Sequence, residues 1–294
     1  MRKTFFLFLL LYFPTIVFSQ NNGENFLKKK KEKPPITLYK IISAQRDTTY
    51  VDTTLNIQKE YKFNYLRKDN FQLQEFANVG QPYNKLAYDF EKLNLKPAFV
   101  AQSHHFGYRE VEDMQYFNLP TPLTELYFKT AFKQGQQLDA FFSINTSDQF
   151  NFSIAYKGVR SLGAYQHSLT STGDFRFTTN YHSKNKRYQI LAHMMALELL
   201  NQENGGLTDE SVLLFQSDDN EFRDRGRLDV KFDDGENELK GFRVFAKQEY
   251  QLITKKDSTD LNKLIIGNAI GFEEKSYVYK QDTPYNGFGD CYKT

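Results

Sequence analysis

The sequence predicts an all-β chain, an antiparallel transmembrane β-barrel that is incomplete over this length, behind a signal peptide and an irregular N-terminal periplasmic segment. Three observations predict it. Residues 124–157 repeat an alternating apolar–polar unit three times, each close to the roughly 9–11 residues a tilted membrane strand needs. The first residues carry an export signal. No later stretch approaches the ~20 apolar residues of a helical span.

Residues 1–19 read as the signal peptide: Arg2 and Lys3, then an apolar run over 5–13, then Val17 and Ser19 before Gln20. Residues 20–96 read as a linker and N-terminal periplasmic segment, either a small β-rich domain or an extension packed against a barrel mouth. Lys28, Lys29, Lys30 and Lys31 precede Pro34 and Pro35, a flexible polar stretch. Residues 36–43 and 48–58 have strand character, and Gly80 and Pro82 signal a turn.

Residues 97–294 read as outer-membrane strands. Residues 97–108 are the expected first strand, with 113–119 paired to it. Leu126, Phe128 and Phe132 then fall on one parity and Glu125, Lys129 and Lys133 on the other. Leu138, Ala140, Phe142 and Ile144 alternate with Asp139, Phe141, Ser143 and Asn145. Phe150, Phe152, Ile154 and Tyr156 alternate with Gln149, Asn151, Ser153 and Lys157. Period two means extended backbone, because successive side chains point to opposite faces. Residues 174–182 and 240–250 repeat the pattern. In 264–272, Leu264, Ile266, Ile270 and Phe272 share a face, and Gly267 and Gly271 on the other suit a crowded or curved wall. Residues 188–200 are mixed, since Met194, Met195, Ala196 and Leu197 would also suit a helix. Short links at 147–148 and 183–186 alternate with long ones at 158–173 and 201–239, as tight periplasmic turns alternate with external loops.

Composition agrees. Only 40% of the 294 residues are hydrophobic and mean hydropathy is −0.63, too polar for a helical membrane protein. Phe (28) and Tyr (19) are abundant and Trp is absent, so any interfacial girdle must use the first two. A net charge of +2 leaves no nucleic-acid footprint. The single Cys291 can form no intrachain disulfide.

Catalytic and metal motifs do not emerge, so no enzyme and no cofactor are expected. His104 and His105 are neighbours that a strand would point to opposite faces. The acidic tract from Asp218 to Glu238 fails the EF-hand register, with Phe232 and Val230 where ligands should stand. It reads as a solvated loop. What remains is the polar strand face, where Glu125, Lys129, Lys133, Asp139, Asn145, Arg176, Arg243, Lys247 and Glu249 are the expected lumen-facing residues. Both signs occur, so no ion preference follows. The expected function is passive diffusion of small solutes through an outer-membrane barrel. The alternative is a soluble exported β-sandwich of adhesin-like binding type, whose apolar strand faces would pack on a second sheet.

Several segments resemble one family. They are 61–69 (YKFNYLRKD), 78–83 (NVGQPY), 120–130 (PTPLTELYFKT), 134–139 (QGQQLD), 149–163 (QFNFSIAYKGVRSLG), 175–187 (FRFTTNYHSKNKR) and 200–207 (LNQENGGL). Together they are similar to the putative porin family of Bacteroidota outer membranes. The resemblance implies an outer-membrane barrel, lipid as neighbour, small solutes as cargo and insertion by the barrel-assembly machinery. It supplies no catalytic or ligand residues. Members look longer than this chain, which implies an N-terminal fragment of a barrel.

Overall fold

The computed structural model describes residues 34–54, 56–87, 102–131, 135–253, 264–283 and 285–288. The expected signal peptide lies outside the described residues.

The alternating segments form one antiparallel sheet of seven strands in sequence order. Counting from the N-terminus, these are β6 (Leu123–Ala131), β7 (Gly135–Ser147), β8 (Phe150–Ser161), β9 (Thr170–His182), β10 (Tyr188–Glu203), β11 (Gly235–Ile253) and β12 (Leu264–Lys280). Each pairs with its neighbour, as in Ala140↔Tyr156, Tyr156↔Phe175, Phe175↔Ala196 and Ala196↔Phe242. Among the described residues β6 and β12 are free edges, so the sheet is open and not closed into a barrel. The mixed segment is a strand, β10. Residues 148–149 and 183–187 turn the chain tightly at one end, and 162–169 and 204–234 are long connections at the other. The longer connection carries α1 (Asp209–Gln216), capped by Thr208 accepting from the Ser211 amide.

Of the expected first strand, 97–108, residues 97–101 lie outside the described residues; the rest holds a 3-10 helix, Gln102–Gly107, and the run of long strands begins at Leu123. Gln115–Asn118 (β5) pairs instead with Lys40–Ser43 (β1), which also pairs with Thr48–Tyr50 (β2). Leu73–Glu75 (β3) and Tyr83–Lys85 (β4) form a separate hairpin ladder. These strands of three or four residues are too short to show a period. Pro120 and Pro122, which cannot donate to a ladder, separate them from β6.

The two faces of the large sheet differ. Leu126 (71% exposed), Phe128, Phe142, Ile154, Val244, Ile270 (69%) and Phe272 point to the open side. On the opposite parity Ser143, Asn151, Ser153, Asp174, Asn180, His193 and Arg243 are buried. An apolar exterior over a polar interior inverts the usual soluble arrangement.

The apolar belt also crosses the hydrogen-bonded rows obliquely. Phe128 and Leu138 share a row at the belt's limit on β6 and β7. Followed outward, that row passes Gly158, Gly173, Glu198, Lys240 and Ser276. On β12 the belt has already ended at Phe272. Toward the tight-turn end the belt carries Tyr181, Tyr188 and Tyr250, with the Tyr188 hydroxyl donating to Gln248, and Leu252 and Leu264 continue it past Tyr250. Near the other end Tyr156 lies along the sheet over Gly158 and Gly173. A Cβ on those glycines would sit 3.0 and 3.4 Å from its hydroxyl.

Candidate functional site: the polar face and the segment seated on it

The buried polar face is covered by the chain's own N-terminal segment, the described residues of 34–119. The segment contacts the sheet from end to end. Near the tight turns, Lys247 Nζ donates to the Ala44 carbonyl, Arg46 pairs with Glu249 at 2.8 Å, and Asn145 accepts from the Leu119 amide. At the long-connection end, the Asn78 amide donates to the carbonyls of Ser161 and Ser168. The chain then returns through Tyr108 and Arg109 to Tyr116 and enters β6.

Between these ends runs an alternating series of charges. Glu125 meets Arg67, Arg67 reaches Asp139 (3.8 Å), Asp139 meets Arg176 (3.7 Å), Arg176 meets Asp174 (3.2 Å), and Asp174 meets Arg109 (3.0 Å). Arg67 and Arg109 belong to the segment; the other four stand on strands. Lys157, almost fully buried, holds its ammonium 3.9 Å from the centroid of the Tyr65 ring. Burial pushes the Tyr65 phenol up to about 12.

A second network centres on Arg243, which is 2% exposed. Its Nε donates to His193 Nε2 (3.0 Å), one terminal nitrogen reaches Glu273 (3.1 Å), and the other donates to the Arg109 carbonyl (2.7 Å). Tyr108 donates to the same Glu273, and Tyr116 bonds His193 Nδ1 at 2.7 Å. Burial pushes the phenols of Tyr108 and Tyr116 above the usual tyrosine value.

Apolar contacts join the same surfaces. Tyr108 packs with Met195, Leu197, Leu199 and Leu239; Ala44, Met114 and Tyr116 with Leu191; Tyr65, Leu66 and Tyr83 with Val159; Val51, Phe117 and Leu119 with Leu123 and Phe141.

Eight of the nine residues expected to line a lumen are described, and all eight stand on the covered face. Glu125, Asp139, Asn145, Arg176, Arg243, Lys247 and Glu249 make the contacts above, and Lys129 Nζ donates to the Phe63 carbonyl. Lys133 lies outside the described residues. Sequence reasoning missed Asp174, Lys157, His193, Glu273 and Lys275, whose Nζ donates to Glu110 of the segment at 3.2 Å, as site members. Asp174 and Lys157 already lay on the polar parity. Glu273 and Lys275 continue that parity past Phe272, where the alternation could have been followed further.

Among known families, the model described as "Putative porin" matches residues 35–294. No curated protein matches the chain, and no solved structure does.

Proposed function

Because the chain belongs to the putative porin family, we propose that its seven-stranded sheet is the wall of an outer-membrane β-barrel that lets small solutes pass by diffusion. The apolar face meets lipid and the polar face meets the lumen. Glu125, Lys129, Lys133, Asp139, Asn145, Arg176, Arg243, Lys247 and Glu249 face inward in this reading.

The observation that carries it is the exposed apolar belt, slanted across the hydrogen-bonded rows. Strands of a membrane barrel tilt by roughly 35–45°, so a horizontal hydrocarbon slab must intersect successive strands at shifted positions. A belt covered by a second soluble sheet has no such requirement. The tyrosines toward its tight-turn end fit an aromatic girdle. Insertion would require the edges β6 and β12 to be paired in the membrane, since each unsatisfied backbone group in hydrocarbon costs on the order of several kcal/mol.

Cell fractionation with heat-modifiable gel mobility tests the membrane address, and liposome swelling with small neutral and charged solutes tests the diffusion. Recovery in outer-membrane fractions with solute-size-dependent swelling is expected. Recovery as a soluble periplasmic monomer would overturn the reading and favour the exported binding module.

A further inference from the structure

We propose that the described residues of 34–119 are a resident plug, and that the ion series through Arg67 and Arg109 latches it to the wall so that flux past these strands requires its release. The inference rests on the porin-like reading above and deepens it.

The wall is built for an occupant. β10 carries Leu191, Met195, Leu197 and Leu199 on its inward face, all buried. Facing open water, that row would be an exposed apolar stripe. It is covered here by Met114, Tyr116 and Tyr108. Each of the four clusters of buried hydrophobic residues among the described residues joins the segment to the sheet.

Three glycines show how close the fit is. A Cβ at Gly241 would lie 2.5 Å from the Tyr108 ring. One at Gly80 would lie 2.7 Å from Val159, and one at Gly107 would lie 3.2 Å from Leu199. Gly241 is on the wall and the others are on the segment, so both partners have shed side-chain bulk where they meet.

Charge accounting gives the latch. Within the series the wall presents Glu125, Asp139 and Asp174 against the single guanidinium of Arg176. Arg67 and Arg109 supply the missing cations. Removing the segment takes the cation from Glu125 and leaves Asp139 and Asp174 to share Arg176, which favours the seated state. The Glu125 end of the series is open to water, its side chain 60% exposed, so that pair can part more readily than a fully apolar contact.

The test uses the full chain with Cys291→Ser as background, bearing Arg109→Cys and Asp174→Cys, in liposomes. The pair deletes one latch and allows a reversible bridge. Solute flux is expected to rise about tenfold or more over the background protein, the change that a modest shift of a two-state equilibrium produces. A short cleavable bis-thiosulfonate cross-linker should return flux to the background level, and reductant should restore the rise. Flux indifferent to the bridge overturns the plug. Failure of every form to enter membranes overturns the membrane reading instead. In that event protease decides the plug: protection of 34–119 in the background protein and cleavage in the unbridged pair support it. Cleavage in both overturns it.

Discussion

Arg243 Nε points at His193 Nε2 across 3.0 Å, and that contact settles the state of the imidazole. A guanidinium only donates, so Nε2 must offer a lone pair. The proton then sits on Nδ1, and the Tyr116 hydroxyl at 2.7 Å accepts it. A strand of the N-terminal segment is thereby tied to two strands of the sheet through one neutral ring.

His193→Leu should loosen that tie. The substitution leaves Arg243 Nε and the Tyr116 hydroxyl buried without this partner, and an unsatisfied buried group costs about 1–3 kcal/mol. The urea midpoint of the protein refolded in detergent should fall accordingly. Arg243→Lys should be no milder, because one ammonium cannot reproduce a planar fork that serves His193, Glu273 and the Arg109 carbonyl together. Unchanged midpoints in both variants would mean that the network contributes nothing to seating.

Alkali should release the segment. The buried Tyr65 phenol is pushed from 10.0 to about 12, with desolvation the largest cause. A group whose folded value is raised holds its proton more tightly in the folded state. Its contribution is therefore complete below pH 10 and lost as pH climbs toward 12, on the order of 2–3 kcal/mol across that window. Tyr83, Tyr108 and Tyr116 shift in the same direction, also chiefly by burial. Absorbance at tyrosinate wavelengths should show a late-titrating group, with protease sensitivity of 34–119 rising in step. Tyr65→Phe should remove one of the late-titrating groups, and a titration curve identical to that of the parent would contradict the assignment.

The strand faces were legible because a period of two survives any tertiary context that keeps one side apolar. Phe128, Phe142 and Ile154 announced their face unaided. β10 was ambiguous for a reason the fold supplies. Ile190, Ala192 and Met194 look outward while Leu191 and Met195 look toward the segment, so both parities are apolar and alternation vanishes. The segment itself was illegible. Its contacts join residues far apart, as Arg67 to Glu125 or Arg109 to Asp174, and no local pattern encodes such pairs. Tyr65, Tyr83, Tyr108 and Tyr116 read only as aromatic enrichment until the wall beneath them was seen.

The apolar face offers the sharpest test of its neighbour. Val244 lies on the outward face of β11 within the belt and is 43% exposed, while Glu238 lies on the same face beyond it. Val244→Arg places a guanidinium where hydrocarbon is expected, which costs about 2–4 kcal/mol near the bilayer midplane and falls to roughly 0–1 at the interface. Glu238→Arg, outside the belt, should therefore fold into liposomes as readily as the parent, and Val244→Arg should not. Were the face bathed by water, both substitutions would stay within about 0.5 kcal/mol of the parent, as surface changes generally do. A large loss at Val244 alone requires a low-dielectric neighbour at that depth. Because the belt slants, the same substitution at Ser276, which shares its row with the apolar Leu138, should behave like Glu238. Sensitivity that followed the row instead of the belt would place the neighbour in a second protein layer aligned with the strands, and the lipid assignment would fail.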